Sequence, residues 1–217
     1  MTKQKPVFKY PGAHTDVFWD SRLCIHIAEC GRAEGELFVA GRKPWCDPDT
    51  SSEDEVTDVC ERCPTGALTY QVKDGSREEQ AAASNTVTIV SRGPLYVRGQ
   101  LKIEGAADDQ TGVKYRAALC RCGKSKNKPF CDNSHEKAGF ADYGAVGKAA
   151  ESSEPTQGPL EIKPAPDGPL LVSGDFTIIA GSGRRAWSGS RAALCRCGES
   201  ANKPFCDGAH KAAGFKG

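Results

Sequence analysis

One cysteine-rich pattern occurs twice in this chain, at a fixed separation. Sliding the sequence by 75 residues lays 93–140 on 168–215 without a gap. RAALCRCGKSKNKPFCDNSHEKAGF (116–140) falls on RAALCRCGESANKPFCDGAHKAAGF (191–215), and GPLYVRGQLKI (93–103) falls on GPLLVSGDFTI (168–178). The middle, 104–115 against 179–190, does not match and reads as a variable loop or hairpin. Two repeats are too few for a solenoid. The expectation is a duplicated module whose copies form a pseudo-two-fold pair, as in a dimer fused into one chain.

Both copies have the form C-x-C-x8-C-x3-H: Cys120, Cys122, Cys131, His135, then Cys195, Cys197, Cys206, His210. Cys-x3-His on a first helical turn puts both side chains on one face, where they can grip one ion. Cys-x-Cys suits an extended loop that sends two thiolates to a second ion. Pro129 and Pro204 stiffen the approach to the third cysteine. Two residues beyond it stands Gly208 in the second copy and Asn133 in the first, a residue that tolerates unusual dihedrals. The donor set admits an iron–sulfur cluster or a Cys₃His zinc, although zinc knuckles more often use C-x2–4-C. Spacing leaves both open.

The wider composition narrows the setting. There are eleven cysteines, an odd number, so disulfides alone could not pair them all. MTKQKPVFKY has no apolar core and does not read as a secretory signal. No run approaches the roughly 20 apolar residues of a spanning helix. The expected location is therefore cytoplasmic, with no membrane partner, and there clustered cysteines mean metal. A net charge of +1 provides no global field for nucleic acid. A 38% hydrophobic share with 24 Gly and 13 Pro points to several small units instead of one large core. No Gly-rich phosphate loop, nucleophile elbow or HExxH is present, so the chain is not expected to be an enzyme.

Short strand-type runs precede each cysteine loop: 87–90, 95–97, 101–103 and 115–118, then 170–172, 176–179 and a run near 186–193. A short helix is expected to begin near Asp132 and near Asp207, where a carboxylate suits free amides.

The strings CRCGKSKNKPFCDNSH and CRCGESANKPFCDGAH resemble the CDGSH iron–sulfur family, in its tandem two-motif form. The match covers about 87–217. The resemblance implies one [2Fe–2S] cluster per motif, the inner iron on Cys120 and Cys122 and the outer on Cys131 and His135. In the second copy it puts the inner iron on Cys195 and Cys197 and the outer on Cys206 and His210. Asn133 replaces the family's Gly and Ala209 its Ser; neither removes a ligand.

Five cysteines remain in the first seventy residues. CIHIAEC (24–30), RKPW (42–45) and CPTGAL (63–68) resemble a divergent single-cluster ferredoxin domain, with a helix expected over 52–62 capped by Ser51 or Ser52. That likeness implies Cys24, Cys30 and Cys63 as ligands, with Ile27 at the place of the pattern's middle cysteine. Three thiolates suffice for a [3Fe–4S] cluster, and a [4Fe–4S] cluster needs a fourth donor: Cys46, Cys60 or His26. Cys46 and Cys60 also read as buried small hydrophobes.

The chain is thus expected to be α+β. A small ferredoxin-like α/β unit (1–73) and a linker (74–86) precede a first β-rich module (87–143), a linker (144–159) and a second module (160–217), with a short helix at each cluster. Its expected partners are redox or cluster-accepting proteins. It would carry single electrons, store and donate clusters, or act as a zinc-stapled interaction module. The first cluster loop carries Arg121, Lys124, Lys126 and Lys128 against Arg196, Glu199 and Lys203 in the second, which would make the first site easier to reduce.

Overall fold

A computed structural model describes residues 7–147 and 158–217. Most of the linker expected at 144–159 thus lies outside the described residues. The chain is mixed α and β, mostly sheet with few helices.

The first unit is an antiparallel sheet in the order β1 (Val7–Tyr10), β2 (Thr15–Asp20), β3 (Leu68–Val72). Helix α1 (Glu53–Arg62) connects back to β3. Ser52 accepts from the Glu55 amide at 3.3 Å, and Glu53, Asp54 and Glu55 face the positive end of the helix dipole. Its apolar stripe, Val56, Val59 and Cys60, is buried with Val17, Leu23 and Leu37.

Seven strands make the second sheet: β4 (Thr86–Ile89), β5 (Leu95–Arg98), β6 (Gln100–Ile103), β7 (Arg116–Leu119), β8 (Pro159–Pro164), β9 (Leu170–Ile179) and β10 (Arg185–Leu194). The stretches 170–172 and 176–179 join in one strand, β9, which runs through a left-handed Gly174. Two parallel pairings cross between the repeats, Thr86 with Thr177 and Lys102 with Glu161. A shift of 75 residues maps one register onto the other. Gly123 lies so close to the Cys197 carbonyl, and Gly198 to the Cys122 carbonyl, that a Cβ at either would approach within 3.0 Å. The two cysteine loops therefore abut through bare backbone.

Asn85, in the stretch read as linker, is buried and holds three backbone groups. Its amide donates to the Gly158 and Asp175 carbonyls at 3.0 and 2.9 Å, and its oxygen accepts from the Gln100 amide at 3.0 Å.

The first unit is fastened to β7 by Arg116, which has no solvent exposure. Its guanidinium donates to the Cys63, Cys60 and Leu68 carbonyls at 2.7, 3.0 and 2.8 Å and forms an ion pair with Glu79. Asn127 adds a bond to the Arg22 carbonyl at 2.8 Å. Replacing Arg116 with Met would strand three carbonyls and the Glu79 carboxylate. A destabilisation of about 3–5 kcal/mol is expected, the usual cost of orphaning a buried pair. Denaturant melts of wild type and R116M check it; a loss under about 1 kcal/mol would contradict the fastening role.

Candidate metal centres

Each repeat delivers its donors in two pairs. Cys120 and Cys122 leave the end of β7 with their sulfurs 3.8 Å apart; Cys195 and Cys197 leave β10 with theirs 3.7 Å apart. Cys131 Sγ lies 3.4 Å from His135 Nδ1, and Cys206 Sγ lies 3.4 Å from His210 Nδ1. Two ligands about 2.1–2.3 Å from one tetrahedral ion stand roughly 3.4–3.8 Å apart, so each pair suits a single ion. Among the described residues, no three His, Cys, Asp or Glu side chains converge on one point. Four donors in two pairs can hold the two irons of a binuclear cluster, one pair to each.

The local backbone explains the second pair. The third cysteine precedes the helix, which is only four residues long in each copy: α2 (Ser134–Lys137) and α3 (Ala209–Ala212). A left-handed residue turns the chain between them, Asn133 at φ 69° and Gly208 at φ 89°. The tight turn also aims the Asn133 and Gly208 amides at the Cys131 and Cys206 sulfurs, both at 3.4 Å. The helices thus begin two residues later than the aspartates suggest. Asp132 caps instead by accepting from the Ser134 and Lys126 amides at 3.0 and 2.8 Å, which holds its carboxyl below the ordinary value against burial.

Burial sets the chemistry of these donors. The Cys122 thiol hydrogen-bonds Cys120, pulling the Cys120 pKa down to about 6 against desolvation, while the Cys122 pKa rises. Burial pushes Cys131 up to about 12 and lowers the pKa of His135, so the imidazole keeps its lone pair. Burial makes the Cys131 thiol costly to ionise until a cation compensates it.

The N-terminal donors meet at a cavity of about 450 Å³ lined by Cys24, His26, Cys30, Cys63, Trp19 and Trp45, among others. His26 Nδ1 is 4.0 Å from Cys24 Sγ. His26 and Ala28 both have positive φ, 56° and 66°, which bends the loop around the opening. Ile27 lines the same cavity and is 46% exposed. Burial first, then the Cys63 and Cys24 charges, raise the Cys30 pKa. Cys46 and Cys60 do not line the cavity; they are 1% and 0% exposed within the core, and burial lifts both pKa values. Of the three candidate fourth donors, only His26 reaches the site.

Sequence reasoning missed the wall between this cavity and the first repeat. Ile25 packs against Ala118 and Cys131, with Tyr96 beside them. The Tyr96 hydroxyl is buried without a hydrogen-bond partner among the described residues, and burial, then the Cys131 and Cys63 charges, push its pKa up to about 12. A cleft of about 390 Å³ lies between Ile25, His26 and Ile27 on one side and Asn133, His135 and Glu136 on the other. A cavity of about 780 Å³ beside β6 and β8 has no cysteine or histidine in its lining.

Comparison with known proteins agrees with this arrangement. Residues 92–136 and 167–211 each match the family described as iron-binding zinc finger CDGSH type. Residues 10–73 match the family described as divergent 4Fe-4S mono-cluster. The uncharacterized protein YjdI of Escherichia coli K12 is 41% identical over 64 residues, 30% of this chain and 84% of its own length. The same protein from Escherichia coli O157:H7 matches equally. No solved structure matches. The chain belongs to the CDGSH iron-binding family in its tandem form, with a divergent 4Fe–4S-type domain in front, and it binds iron–sulfur clusters.

Serine replacement of Cys24, Cys30 or Cys63 should remove the N-terminal cluster and leave both repeats loaded. Cys46→Ser and Cys60→Ser should retain it, at some cost in core stability. Iron and sulfide quantification with EPR on each variant tests this; loss of the N-terminal signal in either C46S or C60S would identify a ligand that the cavity does not show.

Proposed function

We propose that the protein carries single electrons through two 3Cys–1His [2Fe–2S] clusters and one N-terminal ferredoxin-type cluster. Cys120, Cys122, Cys131 and His135 would hold the first [2Fe–2S] cluster, and Cys195, Cys197, Cys206 and His210 the second. Cys24, Cys30 and Cys63 would hold a [3Fe–4S] cluster, or a [4Fe–4S] cluster with His26 as fourth donor. Bound there, such clusters supply reversible one-electron storage.

The observation that carries the reading is contiguity. Ile25 and Tyr96 form a thin apolar wall between the N-terminal cavity and Cys131. The loops holding Cys122 and Cys197 abut in turn at Gly123 and Gly198. The reciprocal strand registers favour a pseudo-two-fold pair, which would bring the two [2Fe–2S] sites together. Three adjoining one-electron sites would form a relay. Such a carrier would act on redox proteins, without nucleic acid or membrane and in the cytoplasm. Among the described residues, no helix is long and apolar enough to cross a membrane.

A second reading, cluster donation, draws support from an asymmetry. Cys131 and His135 are buried under the N-terminal unit, whereas Cys206 and His210 are half-exposed. If the protein also donates clusters, the second site is the one that an acceptor can reach.

Anaerobic purification from iron-replete cells should give a red-brown protein with four irons in the repeats and three or four in front. Stoichiometric zinc without visible absorption would refute the proposal. His135→Cys and His210→Cys should each lower the potential of their site, because a fourth thiolate makes the cluster more negative. As pH falls from neutral, the second cluster should be lost before the first, since His210 is half-exposed and His135 is buried. Visible absorption of single-site variants during acid titration reports the order.

A further inference from the structure

The two repeats differ most in what covers them. Strand β7 and the matching part of β10 carry the same sequence, RAAL, in equivalent registers: Tyr96 opposes Ala118 as Leu171 opposes Ala193. In β7 all four residues are buried, whereas in β10 Arg191 is exposed and Ala192 and Ala193 are half-exposed. Tyr96 packs beside Ile25, but its counterpart Leu171 is 44% exposed. Arg116 is sunk in three carbonyls of the N-terminal unit, while Arg191 has no partner among the described residues. Asn127 donates to the Arg22 carbonyl, and its counterpart Asn202 is exposed, its side chain making no hydrogen bond among the described residues. The second repeat therefore keeps the fastening residues of the first without anything to fasten.

We propose that this face of the second repeat, around Leu171, Arg191 and Asn202, docks a separate protein of the same kind as the N-terminal unit: a small single-cluster ferredoxin-type chain. The intramolecular contact shows the occupant's chemistry. Arg116 and Asn127 bind backbone carbonyls at the CPTGAL turn and before the first cysteine, so recognition follows the occupant's backbone more than its side chains. Such units exist alone, since the matched 64 residues are 84% of the Escherichia coli relative. A second copy of this chain is the poorer occupant, because its own unit already sits on its first repeat. The footprint is smaller than in the first repeat, where the turn Thr111–Lys114 adds contacts that the β9–β10 hairpin replaces. A small footprint suits a transient redox encounter. The docked unit would lie against Cys206 and His210 as the resident one lies against Cys131 and His135, making the second repeat the exchange port.

The docking stands on contact geometry, and its redox meaning rests on the electron-carrier reading. The test titrates holo YjdI from Escherichia coli into the intact holoprotein by calorimetry. One saturable site per chain is expected, weakened tenfold or more by Arg191→Glu and by Leu171→Asp. Lys43→Glu, an exposed charge on the N-terminal unit, should leave it unchanged. No saturable binding, or binding indifferent to both R191E and L171D, overturns the proposal. Stopped-flow mixing with reduced YjdI then separates the two claims. Docking without bleaching of the second repeat's absorption refutes the electron-carrier reading and leaves the interface standing.

Discussion

A fully buried arginine organises this molecule. Arg116 comes from the strand that leads into Cys120 and Cys122, and its guanidinium ends on the carbonyls of Cys60, Cys63 and Leu68. Desolvation opposes its charge, and the nearby Cys63 and Cys60 charges support it. A buried cation is tolerable only when acceptors surround it. Here these acceptors are the end of α1 and the turn that presents the third N-terminal cysteine. The contact therefore fixes Cys63 relative to the cysteines that follow β7. Glu79 pairs the same guanidinium, so its charge is compensated within the contact.

Around that fastening, the chain builds sites from backbone economy. Gly66 sits against the Arg116 carbonyl and Gly112 with φ 72°, and any Cβ there would collide with backbone. Gly123 and Gly198 perform the same service where the two cysteine loops meet. With so little apolar material per unit, each small domain depends on its neighbour's surface and on metal ligation. Buried thiols with raised pKa values, such as Cys131, are costly to ionise until a cation arrives, which would couple cluster loading to folding.

Much of the metal chemistry was legible in the sequence, because ligand spacing is a local property. The strands, α1 with its Ser52 cap, and the need for a tolerant residue at 133 all follow from short-range rules. Some features were not legible. The helices at the clusters begin later than Asp132 and Asp207 suggest, since the left-handed turn comes first. The stretch 74–86 has the composition of a linker, yet Asn85 and Glu79 reach out of it into buried contacts with Asp175, Gln100 and Arg116. The choice among Cys46, Cys60 and His26 depends on which side chains face one cavity, and helical spacing placed Cys60 near Cys63 without placing it there. The shared wall of Ile25 and Tyr96 is a contact between distant segments, which no local pattern announces.

The charge count of the two loops illustrates the same limit. Arg121, Lys124, Lys126 and Lys128 look like a strongly positive surround for the first site. Arg121, however, is buried, forms an ion pair with Asp142 and stacks on Phe140, so its charge is already compensated. Lys124 and Lys126 are exposed, and a unit charge about 10 Å away in water contributes only about 0.4 kcal/mol, while Lys128 is held over Phe215 and on the Ser125 carbonyl. Meanwhile the N-terminal unit strips water from Cys131 and His135, and desolvation penalises a cluster that becomes more negative on reduction. Positive charge favours the electron at the first site, and burial disfavours it. If the two repeats carry electrons as proposed, these opposed effects would draw their potentials closer together than the loop charges imply, and electrons pass in both directions most readily between sites of similar energy.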